Sequence, residues 1–328
     1  MRMFPASIEP VIAPIKQRLD EFRQQRRVQA GSLIISAFGD AIVPRGGRIW
    51  LGSLIRLLEP LELNERLIRT SVFRLAKEEW LRTETVGRRA DYVLTHSGRR
   101  RFDEASRHIY ASHAPIWDRR WRLILVVGEL DAKVREHLKR ALFWQGFGAL
   151  GTECFVHPSA DLTAAFDALV AEGLGGSLDS LMPLLAADSR SGLSANDADL
   201  VRRAWDLQEL AQAYAAFVGT YLPILAELRR DRQVEVDGEE AFLTRLLLIH
   251  DYRRLLLRDP ELPEVLLPGD WPGQKARLLC KDLYRRLLPA AEKHLEETLV
   301  LANGMTPPLD PSYIERFPQD DPLAAISL

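Results

Sequence analysis

The sequence predicts an α+β protein of several domains, because the spacing of its apolar residues changes character twice along the chain. The first third has the pattern of short helices followed by two extended runs, the middle alternates between strand and helix patterns, and the remainder is almost wholly helical. A length of 328 residues allows two or three domains with separate cores. Hydrophobic residues at 47% and charged residues at 27% exclude a fibrous or wholly disordered chain.

The first predicted domain, residues 1–114, opens with an arm and continues as three short helices. The arm covers residues 1–27 and is expected to be helical from about Glu9. Apolar periodicity and the breakers Pro44 and Pro60 place the three helices over residues 31–42, 50–58 and 64–79. Asn64 is a suitable N-cap for the third helix, since its short side chain can accept a hydrogen bond from a free amide of the first turn.

The period then changes from helical to extended, which predicts a hairpin with a basic tip. Its two runs cover residues 81–86 and 91–95, its turn is Gly87-Arg88-Arg89-Ala90, and a closing helix follows over residues 98–110. Three helices, a two-stranded ribbon and a closing helix are the order of a winged helix-turn-helix, whose third helix enters the DNA major groove.

One face of the third helix is cationic, and the opposite face is apolar. At 100° per residue, six side chains from Arg66 to Lys77 fall within about 140°, whereas Ile68, Val72 and Leu75 lie opposite. Such a face can bind base edges and phosphates, with nearby arginines on the backbone or in the minor groove, although a merely solvated basic face is the alternative. The predicted DNA-binding residues are Arg45, Arg48, Arg66, Arg69, Thr70, Phe73, Arg74, Lys77, Arg88 and Arg89.

The distribution of charge agrees with this prediction. Residues 1–114 carry 20 Lys and Arg against 13 Asp and Glu, a net charge of +7, whereas the rest of the chain has a net charge of −9. A basic first third indicates a module that faces a polyanion. Two cysteines and the absence of a secretory signal indicate the cytoplasm. The uncharged run 210–226 is interpreted as a buried helix bent near Pro223 rather than as a membrane span.

The middle and last domains are expected over residues 115–190 and 191–328. The middle one is predicted to be a small ferredoxin-like α/β domain that dimerises, with strands and helices in the order β-α-β-α-β and a fourth strand near residues 146–151. The last is a helical domain with a proline-rich tail after Ala302, which is expected to lie extended on the surface or to stay mobile. Its helices are predicted over residues 196–228, 238–257 and 273–301.

Enzyme motifs are absent from the sequence. The run Gly-Phe-Gly-Ala-Leu-Gly at residues 146–151 follows a helix and precedes a strand, which is the reverse of the context that a dinucleotide site needs. Cys154 and His157 are spaced as half of a zinc site, but no second pair completes it. We expect no metal, no cofactor and no catalysis.

A charged cluster, His250-Asp251-Tyr252-Arg253-Arg254, crosses the apolar helix 242–257. Two interpretations remain open for it. The cluster is either a polar face with pairs along the helix or a pocket in which the histidine and the arginines bind an anionic ligand.

The chain resembles the PaaX family of transcriptional repressors of phenylacetic acid catabolism. The resemblance rests on the winged module together with two segments, Arg258-Asp259-Pro260-Glu261-Leu262-Pro263 and Leu266-Leu267-Pro268-Gly269-Asp270-Trp271-Pro272-Gly273. It covers nearly the whole chain. It implies that the middle domain is akin to the CRISPR-associated Cas2 fold and that the two segments belong to a characteristic C-terminal domain.

The resemblance also implies a function. It implies a homodimeric repressor, without a membrane partner, that binds palindromic operator DNA and is released by an aryl-CoA thioester, typically phenylacetyl-CoA. On this basis, cations are expected to bind the CoA phosphates and an aromatic side chain to contact the aryl group. The predicted effector-binding residues are His250, Arg253, Arg254, Trp271, Lys275 and Arg277.

Two other functions remain as alternatives. A Cas2-like nucleic-acid-processing enzyme is one, but the first strand of the middle domain ends Val126-Val127-Gly128-Glu129, where Cas2-type nucleases carry an aspartate at the strand end. A helical interaction scaffold with a basic head is the other. A binding assay on DNA separates both from the repressor.

Overall fold

The computed structural model describes residues 12–111, 115–187, 195–230, 235–314 and 316–317. Its helices are α1 (Ala13–Arg23), α2 (Ala30–Ala37), α3 (Leu51–Leu58), α4 (Glu65–Lys77), α5 (His96–Ile109), α6 (Ala132–Phe143), α7 (Leu162–Ala171), α8 (Asp197–Ala204), α9 (Leu207–Arg230), α10 (Gly238–Leu256) and α11 (Pro272–Thr298). Its strands are β1 (Arg48–Trp50), β2 (Leu81–Val86), β3 (Arg89–Leu94), β4 (Arg120–Val126), β5 (Gly148–Ala149), β6 (Cys154–His157) and β7 (Leu181–Ala187).

The chain folds into two compact units, each built from separate stretches of sequence. One unit comprises Met1–Ser112, Ala216–Arg254 and Gln274–Leu328. The other comprises His113–Ala215 and Leu255–Gly273. The α+β class and the order of a winged module, a central α/β domain and C-terminal helices are confirmed.

The winged module forms as predicted, with one additional strand. The hairpin of β2 and β3 is joined by β1, which gives an antiparallel sheet of order β1-β3-β2. The wing turn is tighter than predicted, because Val86 pairs with Arg89 and leaves only two residues between the strands. Gly87 has a φ of 60° in this turn, a left-handed conformation that glycine adopts without steric cost.

Helix α2 ends in an irregular segment that the apolar periodicity did not indicate. After Ala37 the chain continues as a π-helical turn to Ile42 and a 3-10 turn to Arg45, and it stops at Gly46 in a left-handed conformation. This segment places Asp40 and Arg45 in the interior, where both side chains are buried.

The central domain is a four-stranded antiparallel sheet of order β5-β6-β4-β7. The predicted fourth strand is confirmed as β5, which lies within the Gly-Phe-Gly-Ala-Leu-Gly run of residues 146–151. Helices α6 and α7 cover one face of the sheet around Ile124 and Phe155. The other face carries a second core, in which Trp121 and Val156 contact Trp205, so β4 and β6 contribute buried side chains to both faces.

The helix predicted over residues 196–228 is two helices. Trp205 interrupts it with an extended backbone, φ −129° and ψ 138°, and separates α8 from α9. The indole Nε1 donates a hydrogen bond of 2.9 Å to the Gly146 carbonyl, and the ring centroid lies 6.4 Å from that of Trp121. Tertiary packing of one tryptophan therefore overrides a continuous helical pattern.

Helix α10 lies in the interior, since every residue from Ala241 to His250 is buried. The described part of the tail is anchored. The Ala302 amide donates 2.7 Å to the buried carboxylate of Asp91, and the Phe317 ring lies 5.0 Å from that of Tyr110. Pro318 and Pro322 lie outside the described residues. Within the part of the chain that the structure describes, no helix combines the length and apolar character needed to cross a membrane.

Candidate nucleic-acid interface

Helix α4 owes its orientation to an N-cap and an apolar face. The Asn64 Oδ1 accepts a hydrogen bond of 2.8 Å from the Leu67 amide, as predicted for a cap. Ile68, Val72 and Leu75 are buried against the rest of the module, and α2 packs beside this helix. The remaining face of α4 therefore points to solvent.

The structure brings the six predicted residues of α4 together on that exposed face. The Phe73 ring is 69% exposed, an unusual position for a large aromatic side chain. The exposed set consists of Arg66, Arg69, Thr70, Phe73, Arg74 and Lys77. Such a face offers cations for phosphates, forked donors for guanine and apolar atoms for a methyl group.

Contacts within α4 hold two of these side chains, and a third lies against α2. The Arg69 Nε donates 2.7 Å to the Glu65 carboxylate one turn earlier, and its Nη2 atom lies 2.5 Å from the same carboxylate oxygen. The Thr70 hydroxyl donates 2.8 Å to the Arg66 carbonyl. Arg74 lies against the start of α2, since a Cβ on Gly31 would come within 3.1 Å of its Nη2 atom.

The wing presents its arginines around an aromatic platform. Arg88 and Arg89 are exposed at the turn, and the Arg89 guanidinium lies 4.4 Å from the centre of the Trp50 ring. Arg56, an exposed residue of α3, lies 5.5 Å from the same ring and was not among the predicted contacts. Arg56 occupies a polar position in the helical pattern of α3, and from that position its exposure could have been predicted.

Arg48 and Arg45 differ from the other predicted contacts. Arg48 is half-buried and forms ion pairs with Glu84 of the wing and with Asp91, so its charge is compensated within the sheet. The Arg45 side chain is fully buried, and its Nη2 lies 2.5 Å from the Glu292 carboxylate. It therefore does not reach the exposed face, and we leave it out of the proposed DNA contacts.

Two of the predicted effector residues contact α2 of the winged module. The buried His250 ring places its Nδ1 atom 3.1 Å from the Ser36 hydroxyl, and Arg253 donates to the Ser36 hydroxyl at 3.2 Å and to that of Ser32 at 2.6 Å. Burial lowers the pKa of His250 to about 4, and the neighbouring Arg253 and Arg254 act in the same direction. The histidine is therefore neutral near pH 7.

The other predicted effector residues are placed differently. Arg254 and Lys275 are exposed, and Arg277 is half-buried. Trp271 belongs to the second compact unit, where its ring packs edge-on against Tyr214 at 5.8 Å between centroids. The Tyr214 hydroxyl in turn lies 2.5 Å from the Asp259 carboxylate, which ties the tryptophan to the Asp-Pro segment.

The half zinc motif has a structural role instead. The His157 Nδ1 accepts hydrogen bonds from the Ser159 and Ala160 amides at 3.0 and 2.8 Å, and Nε2 faces the Pro260 carbonyl. Burial lowers its pKa to about 4, with Arg122 adding to the shift. Both ring nitrogens are engaged, and the described residues contain no group of three metal-ligating side chains.

Comparison with known proteins finds matches along the whole chain. The family model of PaaX-like proteins matches residues 29–98, that of the PaaX central Cas2-like domain matches residues 114–189, and that of the PaaX-like C-terminal domain matches residues 205–297. The transcriptional repressor PaaX of Escherichia coli K12 is 40% identical over 307 residues, which are 92% of this chain and 95% of that protein. Among solved structures, the uncharacterized protein Rv0674 of Mycobacterium tuberculosis is 22% identical to this chain, with a TM-score of 0.47. The match covers 74% of this chain and 89% of the Rv0674 chain.

Proposed function

Since this chain belongs to the PaaX-like family, we propose that it is a non-catalytic transcriptional repressor that binds operator DNA through α4 and the wing. The single observation that carries this proposal is the exposed face of α4, where four cationic side chains lie opposite a buried apolar face. The domain bounds 1–114, 115–190 and 191–328 are part of the proposal.

The geometry supports distinct roles for the DNA contacts. We assign Arg69 and Arg74, whose forked guanidinium groups match guanine O6 and N7, to base edges. Arg66 and Lys77 flank them on the exposed face and fit phosphates. Arg88 at the wing tip and Arg89 on its Trp50 platform extend the cationic surface beyond the helix.

A two-fold dimer would present two copies of α4. Half-sites read by such a dimer lie about 34 to 36 Å apart, one helical turn of DNA, so the operator is expected to be palindromic. Sedimentation should therefore give twice the mass of one chain, and a single-copy mass on the operator would reject this arrangement.

The effector is proposed to be an aryl-CoA thioester, most simply phenylacetyl-CoA, and the regulated operon to be one for degradation of phenylacetate or a related aromatic acid. Support comes from the family to which the chain belongs, in which the similar E. coli protein is a transcriptional repressor. Of the predicted cations, Arg254 and Lys275 are exposed and suit CoA phosphates, whereas His250 and Arg253 are engaged by α2. A hundredfold loss of operator affinity on effector binding needs only about 2.8 kcal/mol of coupling free energy between the two sites.

A gel-shift experiment on promoter DNA next to its own gene tests the proposal. We expect binding in the nanomolar range that weakens with added salt and is reversed by phenylacetyl-CoA. Calorimetric titration with phenylacetyl-CoA, phenylacetate and CoA then identifies the effector class. No binding at low salt would favour an interaction scaffold, and magnesium-dependent cutting would favour a nuclease.

A further inference from the structure

Phe73 and Thr70 form an apolar strip in the middle of the cationic face of α4. The two residues are three apart and therefore adjacent on the helix surface. The Phe73 ring is 69% exposed. The hydroxyl of Thr70 donates its hydrogen to the Arg66 carbonyl at 2.8 Å, so the side chain offers a partner its methyl group and the lone pairs of its oxygen, but no donor.

The surroundings of this strip indicate the kind of partner. Arg69 and Lys77 lie one turn to either side of Phe73, and Arg66 lies one turn before Thr70, all of them exposed. A protein interface with an aromatic centre favours arginine but is depleted of lysine, and its fully buried core carries few charged residues. A polyanion that carries a methyl group among its recognition atoms is complementary to both features at once. Double-stranded DNA has that chemistry in its major groove, where thymine alone presents a C5-methyl group.

We propose that Phe73, with the Thr70 methyl group beside it, contacts the C5-methyl group of a thymine in each operator half-site. This inference rests on the proposed function and adds a base requirement to it. Arg69 and Arg74 supply polar contacts to base edges, and Phe73 makes the half-site require thymine rather than any pyrimidine. Phe73 is thereby a specificity-determining residue of the DNA interface.

Operator DNA in which uracil replaces thymine within the half-sites tests the inference. Uracil pairs with adenine as thymine does and lacks only the methyl group. The full-length wild-type chain should bind the uracil operator about threefold to tenfold more weakly than the thymine operator, in fluorescence anisotropy at fixed salt, because burial of one methyl group is lost at each half-site.

Substitutions at Phe73 assign that loss to one side chain. F73A should bind the thymine operator more weakly and should not distinguish thymine from uracil. F73L, which keeps an apolar side chain, should retain part of the discrimination. The matched control is F143A, which removes a ring that is 61% exposed on α6 of the central domain. F143A should keep the wild-type ratio of thymine-operator to uracil-operator affinity. Both phenylalanines are exposed, so folding is expected to tolerate either change.

Thr70 has a pair of substitutions that separates its methyl group from its hydroxyl. T70V keeps the methyl group and should bind the thymine operator as the wild type does. T70S keeps the hydroxyl and should bind about twofold to fivefold more weakly, since it loses an apolar contact of about one methyl group.

Four results would overturn the inference, and they differ in what they say about the proposed function. Equal wild-type affinity for thymine and uracil operators would reject methyl recognition and leave the DNA-binding function intact. An undiminished thymine preference in F73A would assign the methyl group to another residue. Absence of sequence-specific binding to any promoter fragment would reject the proposed function and this inference with it. If F73A alters the sedimenting mass and keeps the thymine preference, Phe73 is a protein contact and the inference is wrong.

Discussion

The guanidinium of Arg253 holds Ser32 by two hydrogen bonds, 2.6 Å to its hydroxyl and 3.1 Å to its carbonyl. Arg253 lies on α10 and Ser32 on α2, the helix that packs against α4. A residue of the C-terminal region thus holds the helix that packs behind the exposed cationic face of α4. Loss of this contact is therefore expected to alter the position of α2 and, through α2, that of α4.

Arg253→Ala is expected to weaken operator binding without removing a phosphate contact. Loss of charge-assisted hydrogen bonds to α2 should lower stability by about 1 to 3 kcal/mol and lower operator affinity severalfold. The slope of log affinity against log salt should not change, since that slope counts phosphate contacts. Arg254→Ala, the exposed neighbour, is the control, and a change of slope in Arg253→Ala would contradict the positioning role.

Arg245→Met is expected to destabilise the chain strongly. Arg245 is fully buried, with its Nε 2.8 Å from the Asp40 carboxylate and its Nη1 2.5 Å from that of Glu292. Removing this cation leaves Glu292 paired with Arg45 and Asp40 with Arg316 at 3.5 Å, so each buried carboxylate loses one of its compensating charges, which costs about 3 to 5 kcal/mol. Urea unfolding followed by circular dichroism measures the loss.

A surface pair is the control for Arg245→Met. Arg286 pairs with Asp282 at the surface, 2.8 Å from Nε to Oδ1, so Arg286→Met should cost at most about 1 kcal/mol. Equal losses for the two variants would show that the buried pair contributes no more than an exposed one.

Stability is expected to fall as the pH drops from about 6.5 toward 4. Burial lowers the pKa of both His157 and His250 to about 4, so the unfolded chain binds protons at these residues before the folded chain does. Each histidine then contributes stability that is complete above pH 6.5 and declines by about 1.4 kcal/mol per pH unit below it.

Urea midpoints between pH 7.5 and 5 measure this dependence. His157→Asn and His250→Asn should each flatten the slope, whereas replacing the exposed His96 in the same way should not. A slope that stays unchanged in both buried-site variants would reject this explanation of the pH dependence.

Arg69→Ala and Arg88→Ala are both expected to weaken operator binding, but only Arg69→Ala should change the base preference. If Arg69 reads a base, its loss should cost about 1 to 3 kcal/mol and relax the preference at one operator position. Arg88, at the wing tip, should weaken all sequences alike and reduce the salt slope by about 1. Competition assays with single-base operator variants distinguish the two, and Arg230→Ala, an exposed arginine of α9, is the control. Unchanged affinity in Arg69→Ala would remove it from the interface.

Much of the fold was predictable because local signals agreed with one another. Asn64 as a cap, the breakers around residues 44–47 and 60, and alternation over residues 81–94 placed the helices and strands of the winged module within a few residues. The break at Trp205 was not predictable, because an extended backbone there is stabilised by a hydrogen bond to Gly146, which is far away in the sequence.

The candidate interface was predictable to a similar extent. Helical periodicity alone groups Arg66, Thr70 and Phe73 on one face, and the structure finds them exposed together. The burial of Arg45 could not be predicted from local sequence. Its neighbours in sequence are glycines and a proline, which suggest an exposed turn, yet its partner Glu292 lies 247 positions away and holds it in the interior.

The sequence by itself determined the order of the elements and the face of α4 that is cationic, because each follows from residue types at short spacing. Tertiary structure alone decided which charged side chains face outward. A buried arginine, an arginine on the wing and an arginine that holds a neighbouring helix have the same side chain and similar local sequence. Only distant carboxylates and hydroxyls, brought near by folding, compensate the desolvation of Arg45, Arg245 and Arg253, whereas the arginines of α4 are exposed to solvent.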